Sequence, residues 1–385
     1  MIELAKRNRV LWINSISTRT PSLQSGRDVR KIFRKLSEFF RGAQQVDERI
    51  WVYTPLVLPF PHSPVARRIN LFLVRLSIAI LRRRLGMREF QLWSFLPNVS
   101  DFIGRLGESV SVYYCVDEWA GFSNIDSERM ALAESRLCRS ADIVFAPART
   151  LAERKRVLNS ETQFAPHGVD HALFAGALRE DLSVPADIAG LPKPIVGFFG
   201  TLEDWVDQDL ISHLAGKHPD WSFVLIGRKA VDISRLEQMQ NIHCLGRREH
   251  SDLPAYCKGF DVGIIPYLLT DRLKYVSPLK RFEFLAAGLP VVSTAVPEIV
   301  NDRDNCLVAM NHAEFDEAVQ EALRLTGPED RRKRSESVRS ATWENRVADL
   351  SAHVMRVKSR KCQRQNRIAP DSSAPDISAS ITPPR

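Results

Sequence analysis

Short apolar segments alternate with longer amphipathic segments along most of this 385-residue chain. Ten of the short segments are rich in β-branched and aromatic residues, and we predict them to be strands. Each is apolar on both faces, which is typical of parallel strands covered by helices on two sides. The ten predicted strands span residues 9–15, 49–55, 90–96, 111–117, 142–147, 194–200, 222–227, 242–246, 261–267 and 290–294.

The predicted strands fall into two series of five, which indicates an α/β protein with two Rossmann-like, doubly wound parallel-sheet domains. A polar segment with three prolines, 179–194, separates the series. We therefore predict an N-terminal domain over 1–180 and a second domain over 190–330. A basic helix over 331–360 is expected to pack back on the body. The Ser-, Pro- and Asp-rich residues 361–385 are expected to be disordered.

The segment 65–86 is predicted to form a helix with an unusual distribution of charge. Arg68, Arg75 and Arg82 recur every seven residues among Leu, Ile, Phe, Val and Ala. The apolar stretches are too short to span a bilayer. Two interpretations stay open: a core helix whose arginines face water, or an interfacial helix on an anionic membrane.

The net charge of +8 is concentrated near the C-terminus. Residues 331–367 contain twelve basic and three acidic residues, a local net charge of +9, so the remainder carries −1. Nucleic acid is therefore not expected as a partner, although salt-dependent binding through this segment is an alternative. The six cysteines form no Cys-x-x-Cys pair, and the N-terminus lacks the pattern of a secretory signal. We expect a cytoplasmic protein, with the inner face of the cell membrane as the alternative location.

One segment, 275–294, carries the strongest indication of chemistry. Ser277 is a suitable N-cap, and Pro278 a suitable first residue of a helix. Free N–H groups at Leu279 and Lys280, together with the Lys280 ammonium, would form an anion site. Glu283 lies roughly 7.5 Å beyond Pro278 along such a helix, where it could accept hydrogen bonds from a ribose. The alternative is a capped amphipathic helix that binds nothing.

Other acids and a histidine follow predicted strands. Asp117 and Glu118 lie at the carboxyl end of the predicted strand 111–117 and could orient an acceptor hydroxyl or act as a base, or could simply cap a turn. His167 could contact a ligand, or could belong to a turn that leads to Asp170 as a helix cap. The Asp207-Gln208-Asp209 sequence has the form of a metal-binding D-x-D motif, but we interpret it as the start of a helix.

Four strings together resemble the glycosyltransferase family 4 group, in particular its bacterial polysaccharide-assembly members. They are SPLKRFEFLAAGLPVVST (277–294), DVGIIPY (261–267), GFFGTLEDWVDQDLI (197–211) and APHGVD (165–170), and the resemblance is clearest over 111–323. It implies the GT-B fold, in which two Rossmann-like domains face each other across a cleft. It also implies a hexosyltransferase that retains anomeric configuration and needs no metal or other cofactor.

The resemblance also implies partners and site residues. The donor would be a nucleotide sugar, and the acceptor a saccharide or lipid-linked sugar in exopolysaccharide synthesis. Lys280, Asp117 and His167 are the candidate catalytic residues. The candidate donor-binding residues are Gly200, Thr201, Gly227, Arg228, Pro266, Tyr267, Ser277, Leu279, Lys280 and Glu283.

The sequence departs from the family pattern in two places. Members often carry two glutamates eight positions apart, but Tyr275 stands where the partner of Glu283 would be. The loop after Gly200, TLEDWVDQ, is acidic where many members place an Arg and a Lys. A non-catalytic partner in an assembly complex and a nucleotide-sugar epimerase therefore remain alternatives.

Overall fold

The computed structural model describes residues 1–14, 26–60, 63–121, 126–301 and 303–368. Most of the predicted disordered tail, 369–385, therefore lies outside the described residues. The strands are β1 (Val10–Ile13), β2 (Gln44–Asp47), β3 (Ile50–Tyr53), β4 (Gln91–Ser94), β5 (Val110–Tyr114), β6 (Ile143–Ala146), β7 (Thr162–Phe164), β8 (Ile195–Phe199), β9 (Ser222–Ile226), β10 (Ile242–Gly246), β11 (Val262–Ile265), β12 (Val291–Thr294) and β13 (Cys306–Ala309).

Helices alternate with these strands. They are α1 (Ile2–Ala5), α2 (Gly26–Arg41), α3 (Pro64–Arg84), α4 (Ser127–Ser140), α5 (Arg149–Arg156), α6 (His171–Ala175), α7 (Ala186–Ala189), α8 (Gln208–Lys217), α9 (Ser234–Glu237), α10 (Leu253–Gly259), α11 (Lys280–Ala286), α12 (Pro297–Val300), α13 (His312–Leu323), α14 (Pro328–Ser337) and α15 (Trp343–Ile368). Within the described ranges, no helix is long and apolar enough to cross a bilayer.

The C-terminal half contains one six-stranded sheet in the order β10-β9-β8-β11-β12-β13, with every neighbouring pair parallel. Numbered from β8, this is the doubly wound order 3-2-1-4-5-6. Every residue of β8, β9 and β11 is buried, as the two-sided apolar pattern predicts. The order reverses between β8 and β11, and the carboxyl ends at such a reversal are where open α/β sheets generally bind ligands.

The N-terminal half holds its strands in two sheets. One is β1-β3-β2, in which β1 and β3 are parallel and β2 is antiparallel. The other, β4-β5-β6-β7, is entirely parallel. The two edge strands that this division creates, β1 and β4, both line a large cavity.

Helix α3 is buried along only one narrow stripe, formed by Ala66, Asn70, Val74 and Ile78. Five large apolar side chains on its other side are exposed, namely Val65, Ile69, Phe72, Leu76 and Ile80. Arg68 and Arg75 are exposed as well. At 100° per residue these two arginines lie between the buried and the exposed apolar stripes. A helix covered on three sides, one of the two interpretations from sequence, is not what the structure shows.

The C-terminal segment differs from the single helix predicted over 331–360. Two helices are present, and the second, α15, continues to Ile368 through residues that were expected to be disordered. Leu350, Val354 and Val357 of α15 pack against Val110 and Val112 of β5. The helix therefore returns to the N-terminal half. The many exposed charges of the segment obscured this apolar seam in the sequence.

The chain passes between its halves twice, and the two passages touch. Val169 pairs with Thr342 in a parallel bridge, and its N–H donates to the carbonyl of Ala341 at 2.8 Å. A Cβ added to Gly168 would lie 2.5 Å from the backbone nitrogen of Trp343. A glycine is therefore needed for the two segments to approach this closely.

Candidate functional site

Two glycines bring the loops after β8 and β9 together at the carboxyl edge of the six-stranded sheet. Gly200 has φ 146° and Gly227 has φ 154°, which a side chain would strain. The Gly200 N–H donates to the Ile226 carbonyl at 2.8 Å, and a Cβ added to Gly227 would overlap the Gly200 carbonyl. The edge therefore presents bare backbone at the point where the strand order reverses.

Lys280 projects into this corner from the first turn of α11. A Cβ on Gly200 would lie 2.7 Å from Lys280 Nζ, and Nζ is 5.8 and 5.9 Å from the ring centroids of Phe198 and Tyr267. Burial opposes the charge, but the Tyr267 phenol and, more weakly, Glu283 outweigh it and raise the pKa of Lys280 above its ordinary value. Lys280 is therefore a cation at neutral pH, held beside two aromatic rings.

Glu283 lies one turn along the same helix and is buried. Its Oε1 is 3.2 Å from Nε2 of His250, a contact that nothing in the sequence indicated. Burial raises the pKa of Glu283, while the hydrogen bond with His250 and the charge of Lys280 oppose the rise. The carboxylate is thus poorly hydrated and suited to accept hydrogen bonds from a ligand.

The start of α11 differs from the prediction. The helix begins at Lys280 with Leu279 as its N-cap, not at Pro278 with Ser277 as the cap. Ser277 is buried, and the Pro278 carbonyl accepts from the Arg281 N–H at 3.3 Å, so the first turn is already forming there. The helix ends at Ala286, and Gly288 adopts φ 79° three residues before β12 begins at Val291.

The other predicted donor-binding residues lie around the glycine pair. Thr201 follows Gly200 and is half-buried. Arg228 extends into solvent and lies 3.4 Å from Glu203 of the acidic loop. The Pro266 carbonyl accepts from the Asp207 N–H at 2.8 Å, and the neighbouring Tyr267 faces Lys280. These residues form the rim of the corner that Lys280 occupies.

The remaining cations near the corner are engaged elsewhere. Arg281 is buried and donates to the Glu298 carbonyl at 3.2 Å. Lys274 pairs with Asp271 at 2.6 Å. Lys280 is therefore the cation that faces the glycine loops most directly among the described residues.

The D-x-D sequence is a helix start, as interpreted from sequence. Asp207 caps α8 by accepting from the Leu210 N–H at 2.8 Å, and Asp209 pairs with Arg235. His312 contacts the second oxygen of Asp207 at 3.1 Å. Both carboxylates thus have protein partners.

Asp117 lies at the end of β5 and faces the C-terminal half. Its Oδ2 is 3.7 Å from Arg272 Nη2, and the Arg272 guanidinium stacks 4.3 Å from the ring centroid of Trp205. Burial raises the pKa of Asp117, and the charge of Arg272 opposes that rise. No local pattern in the sequence indicated this contact, because Arg272 and Trp205 lie far from Asp117 along the chain.

Glu118 has a structural role instead. It is buried and lies 3.2 Å from Lys155 Nζ, which also binds Glu134 at 2.7 Å. Tyr113 donates to Glu134 at 2.7 Å. We call these four residues the buried ion cluster; it joins β5, α4 and α5.

His167 lies beside the start of α15, with its ring centroid 6.0 Å from that of Trp343. Burial lowers the pKa of His167 to about 4, so it is neutral at physiological pH. The nearby Asp170 caps α6 by accepting from the Leu173 N–H at 3.0 Å, as predicted. The structure therefore places His167 against the second passage of the chain between its halves.

Further contacts join α5 to the C-terminal half. The Arg149 N–H donates to Glu298 at 2.8 Å, and the Thr150 hydroxyl donates to the Lys274 carbonyl. The Arg154 guanidinium lies 5.0 Å from the ring centroid of Tyr275. Tyr275, in the position where a glutamate was expected from the family pattern, thus packs against the opposite half.

Comparisons with known proteins agree with this geometry. Residues 193–325 match the model of the family described as glycosyl transferases group 1. The putative teichuronic acid biosynthesis glycosyltransferase TuaH of Bacillus subtilis strain 168 is 32% identical over 223 residues, which cover 54% of this chain and 55% of TuaH. The chain thus spans about half the length of this curated relative.

Solved structures share the fold at low identity. A sucrose-phosphate synthase from Thermosynechococcus elongatus superposes with a TM-score of 0.60 at 14% identity, over 94% of this chain and 100% of that one. Anabaena HepE in complex with UDP and glucose gives 0.56 at 14% identity, with the same coverage. The predicted GT-B architecture is confirmed.

Proposed function

We propose that the protein transfers a sugar from a nucleotide-sugar donor to a saccharide or lipid-linked acceptor, because residues 193–325 match the model of the glycosyl transferases group 1 family. One observation carries the proposal. A buried acid, a cation and two bare glycine loops converge at the switch point of a doubly wound sheet. The similarity to TuaH favours polysaccharide synthesis as the setting.

The donor is proposed to lie along the first turn of α11. Its diphosphate would contact Lys280 and the backbone at Gly200 and Thr201, and its ribose hydroxyls would donate to Glu283. Arg228, Pro266 and Tyr267 would edge the nucleotide, and Ser277 and Leu279 would shape the approach to α11. The UDP and glucose bound to HepE, which has the same fold, are compatible with a donor of this class.

Lys280 is proposed to stabilise the leaving diphosphate. Negative charge on that group grows as the bond to the sugar breaks, and a fixed cation beside aromatic rings stabilises it without reorganising solvent. The protein would use this side chain in place of a metal, so EDTA should leave the rate of transfer unchanged. We further propose a hexosyl donor and transfer with retention, which product NMR would test.

Asp117 is proposed to act on the acceptor side. It follows β5 and reaches toward the C-terminal half through Arg272. Burial keeps its pKa raised, as suits a group that takes a proton from an acceptor hydroxyl. The predicted role of His167 stays a prediction, and its ring would contact the donor in the neutral form.

The first test is a thermal-shift panel of nucleoside diphosphates and nucleotide sugars, followed by calorimetry with Glu283→Gln. A cleft ligand raises the melting temperature in proportion to the logarithm of its concentration over Kd. Glu283→Gln should weaken nucleoside-diphosphate binding about tenfold, because the amide accepts hydrogen bonds less strongly than a carboxylate. Unchanged affinity in Glu283→Gln would remove the ribose assignment.

Product analysis separates the three alternatives, a transferase, a non-catalytic partner and an epimerase. Release of free nucleoside diphosphate with sugar on an acceptor identifies transfer. Donor binding without turnover would identify a non-catalytic partner, and isomerised nucleotide sugar an epimerase.

Helix α3 is proposed to rest on an anionic membrane. Phe72 and Leu76 belong to its exposed apolar stripe, and Arg68 and Arg75 flank that stripe. Sedimentation with phosphatidylglycerol vesicles should fall several-fold in Phe72→Ser/Leu76→Ser and should weaken with salt. Equal sedimentation of the variant would contradict this placement.

A further inference from the structure

The cavity between the edge strands β1 and β4 has a volume of about 1340 Å³. Its walls come from β1, β4, α3, α15 and the segment that follows β4. The lining is mixed: Trp12, Trp93, Val74, Ile78, Phe102 and Leu106 contribute apolar side chains, and charged residues such as Glu3, Glu89 and Lys358 line it as well. The apolar part of this space, between two strand edges, is suited to a hydrocarbon chain.

One end of this cavity opens beside a second, basic cavity of about 750 Å³. The two share Arg7, Asn8, Arg9 and Gly86 in their walls. The second cavity is lined by five arginines, Arg7, Arg9, Arg49, Arg83 and Arg84, and by one acid, Glu48. We call these five residues the arginine cluster.

The arginine cluster carries more positive charge than the one acid beside it, Glu48, can balance. Arg9 donates to the Leu85 carbonyl at 2.6 Å, which fixes its guanidinium beside the end of α3. Glu48 lies 3.8 Å from Arg49. Within the described ranges, neither Arg83 nor Arg84 has a carboxylate within 4 Å, so both can bind an anion. Guanidinium groups are suited to phosphate, which they bind through two parallel hydrogen bonds.

We propose that the two cavities together form a binding site for one anionic glycerophospholipid. The phosphate binds the arginine cluster, and an acyl chain enters the space between β1 and β4. Trp51 also lines the basic cavity. Charge complementarity at the arginine cluster and the apolar part of the larger cavity select an amphiphile over a free phosphate or a neutral lipid.

The position of the arginine cluster makes this lipid an anchor, not a sugar acceptor. Arg9 and Arg49 directly precede β1 and β3, so the head group binds at the amino ends of these strands. Asp117 and its contact with Arg272 lie where β5 ends. The head-group site therefore stands apart from the proposed transfer chemistry, and the acyl-chain cavity runs from there along β1 and β4 to Asn14 and Phe95.

Native mass spectrometry of the full chain with dihexanoyl-phosphatidylglycerol tests the site. One lipid per chain should bind, with at least tenfold weaker binding of glycerol phosphate and of dihexanoyl-phosphatidylcholine. Arg83→Glu/Arg84→Glu should weaken lipid binding at least tenfold. The matched control, Arg332→Glu/Lys333→Glu on the exposed side of α14, should bind as the parent does. Equal binding of glycerol phosphate would overturn the chain-binding part of the proposal.

Tryptophan fluorescence locates the chain. A phosphatidylglycerol with brominated acyl chains should quench the parent, and Trp12→Phe/Trp93→Phe should lose more than half of that quenching. Phe72→Ser/Leu76→Ser should bind the monomeric lipid normally, because those residues lie on the outer face of α3. Loss of lipid binding in that variant, or full quenching in Trp12→Phe/Trp93→Phe, would assign the lipid to the α3 surface and overturn the proposal.

Discussion

Lys280 and Glu283 stand three residues apart on α11, so both face the same corner of the sheet. Their environments differ. Lys280 lies beside Phe198 and Tyr267 at the glycine loops, whereas Glu283 is buried against His250. Each residue can therefore be tested for a separate part of the donor.

Lys280→Ala should lower kcat by about a hundred- to a thousandfold and weaken nucleoside-diphosphate binding far less. The reason is that the charge Lys280 stabilises is larger in the transition state than in the bound donor. Steady-state kinetics and calorimetry give the two values. Lys274→Ala serves as the control, because Lys274 is exposed and pairs with Asp271. Equal losses in rate and affinity for Lys280→Ala would contradict a transition-state role.

His167 should make folding stability depend on pH. Burial lowers its pKa from 6.5 to about 4, so between these values the unfolded chain binds a proton that the native state does not. The free energy of unfolding should therefore fall as pH drops from about 6.5 towards 4, by at most about 1.4 kcal/mol per pH unit. Urea titrations at a series of pH values give this dependence. The free energy of unfolding of His167→Phe should change less with pH than that of the parent, whereas the exposed His213→Phe should keep the parent's dependence.

The sequence motif placed Lys280 and Glu283 on one helix but did not indicate which side chains they contact. The motif from 277 to 294 located Lys280 and Glu283 because helix position follows from spacing along the chain. The contact of Glu283 with His250 depends on how α10 and its preceding turn pack, which no local pattern encodes. Ser277 failed as a predicted cap because the first turn formed around Pro278 and Leu279 instead.

At the scale of elements, the buried ion cluster holds β5, α4 and α5 together. Lys155→Met should cost about 3–5 kcal/mol, because it leaves Glu134 buried without its cation. Adding Glu134→Gln should recover part of that loss. Lys333→Met, which removes a surface pair with Glu329, should cost less than about 1 kcal/mol. Chemical denaturation measures all three, and similar losses for the two single variants would argue against the buried pairing.

The apolar pattern predicted ten of the strands that the described residues contain and missed three, β2, β7 and β13. Every residue of β2 is exposed, so it has no apolar run to detect. β7 has only three residues, and β13 follows a turn that weakens its signal. Periodicity reports burial, so strands that are exposed or short escape it.

At the scale of the whole molecule, α15 joins the last part of the chain to the first. Val354 is fully buried against β5, and its neighbour Met355 is half exposed. Val354→Asp should abolish cooperative unfolding of the N-terminal half or lower the melting temperature by at least several degrees, because it buries an unpaired charge. Met355→Asp should change the melting temperature little. Matching melting curves would show that α15 contributes nothing to that half.

The two-domain fold followed from the order of strands along the sequence. A basic helix that packs back on the body was also predicted, but not that β5 is the strand it contacts. Basic residues dominate the composition of α15, and its three apolar positions that face β5 are too few to predict which strand they contact. The division of the N-terminal strands into two sheets was equally hidden, since strand pairing across the gap depends on distant segments.

The paired passages at Val169 and Thr342 constrain how the halves can move. A single connecting segment would permit swivelling in any direction, but two segments that share a backbone hydrogen bond resist torsion between them. Opening and closing of the cleft is then confined to rotation of the two halves about one axis. Donor and acceptor surfaces would meet in the same alignment on every turnover.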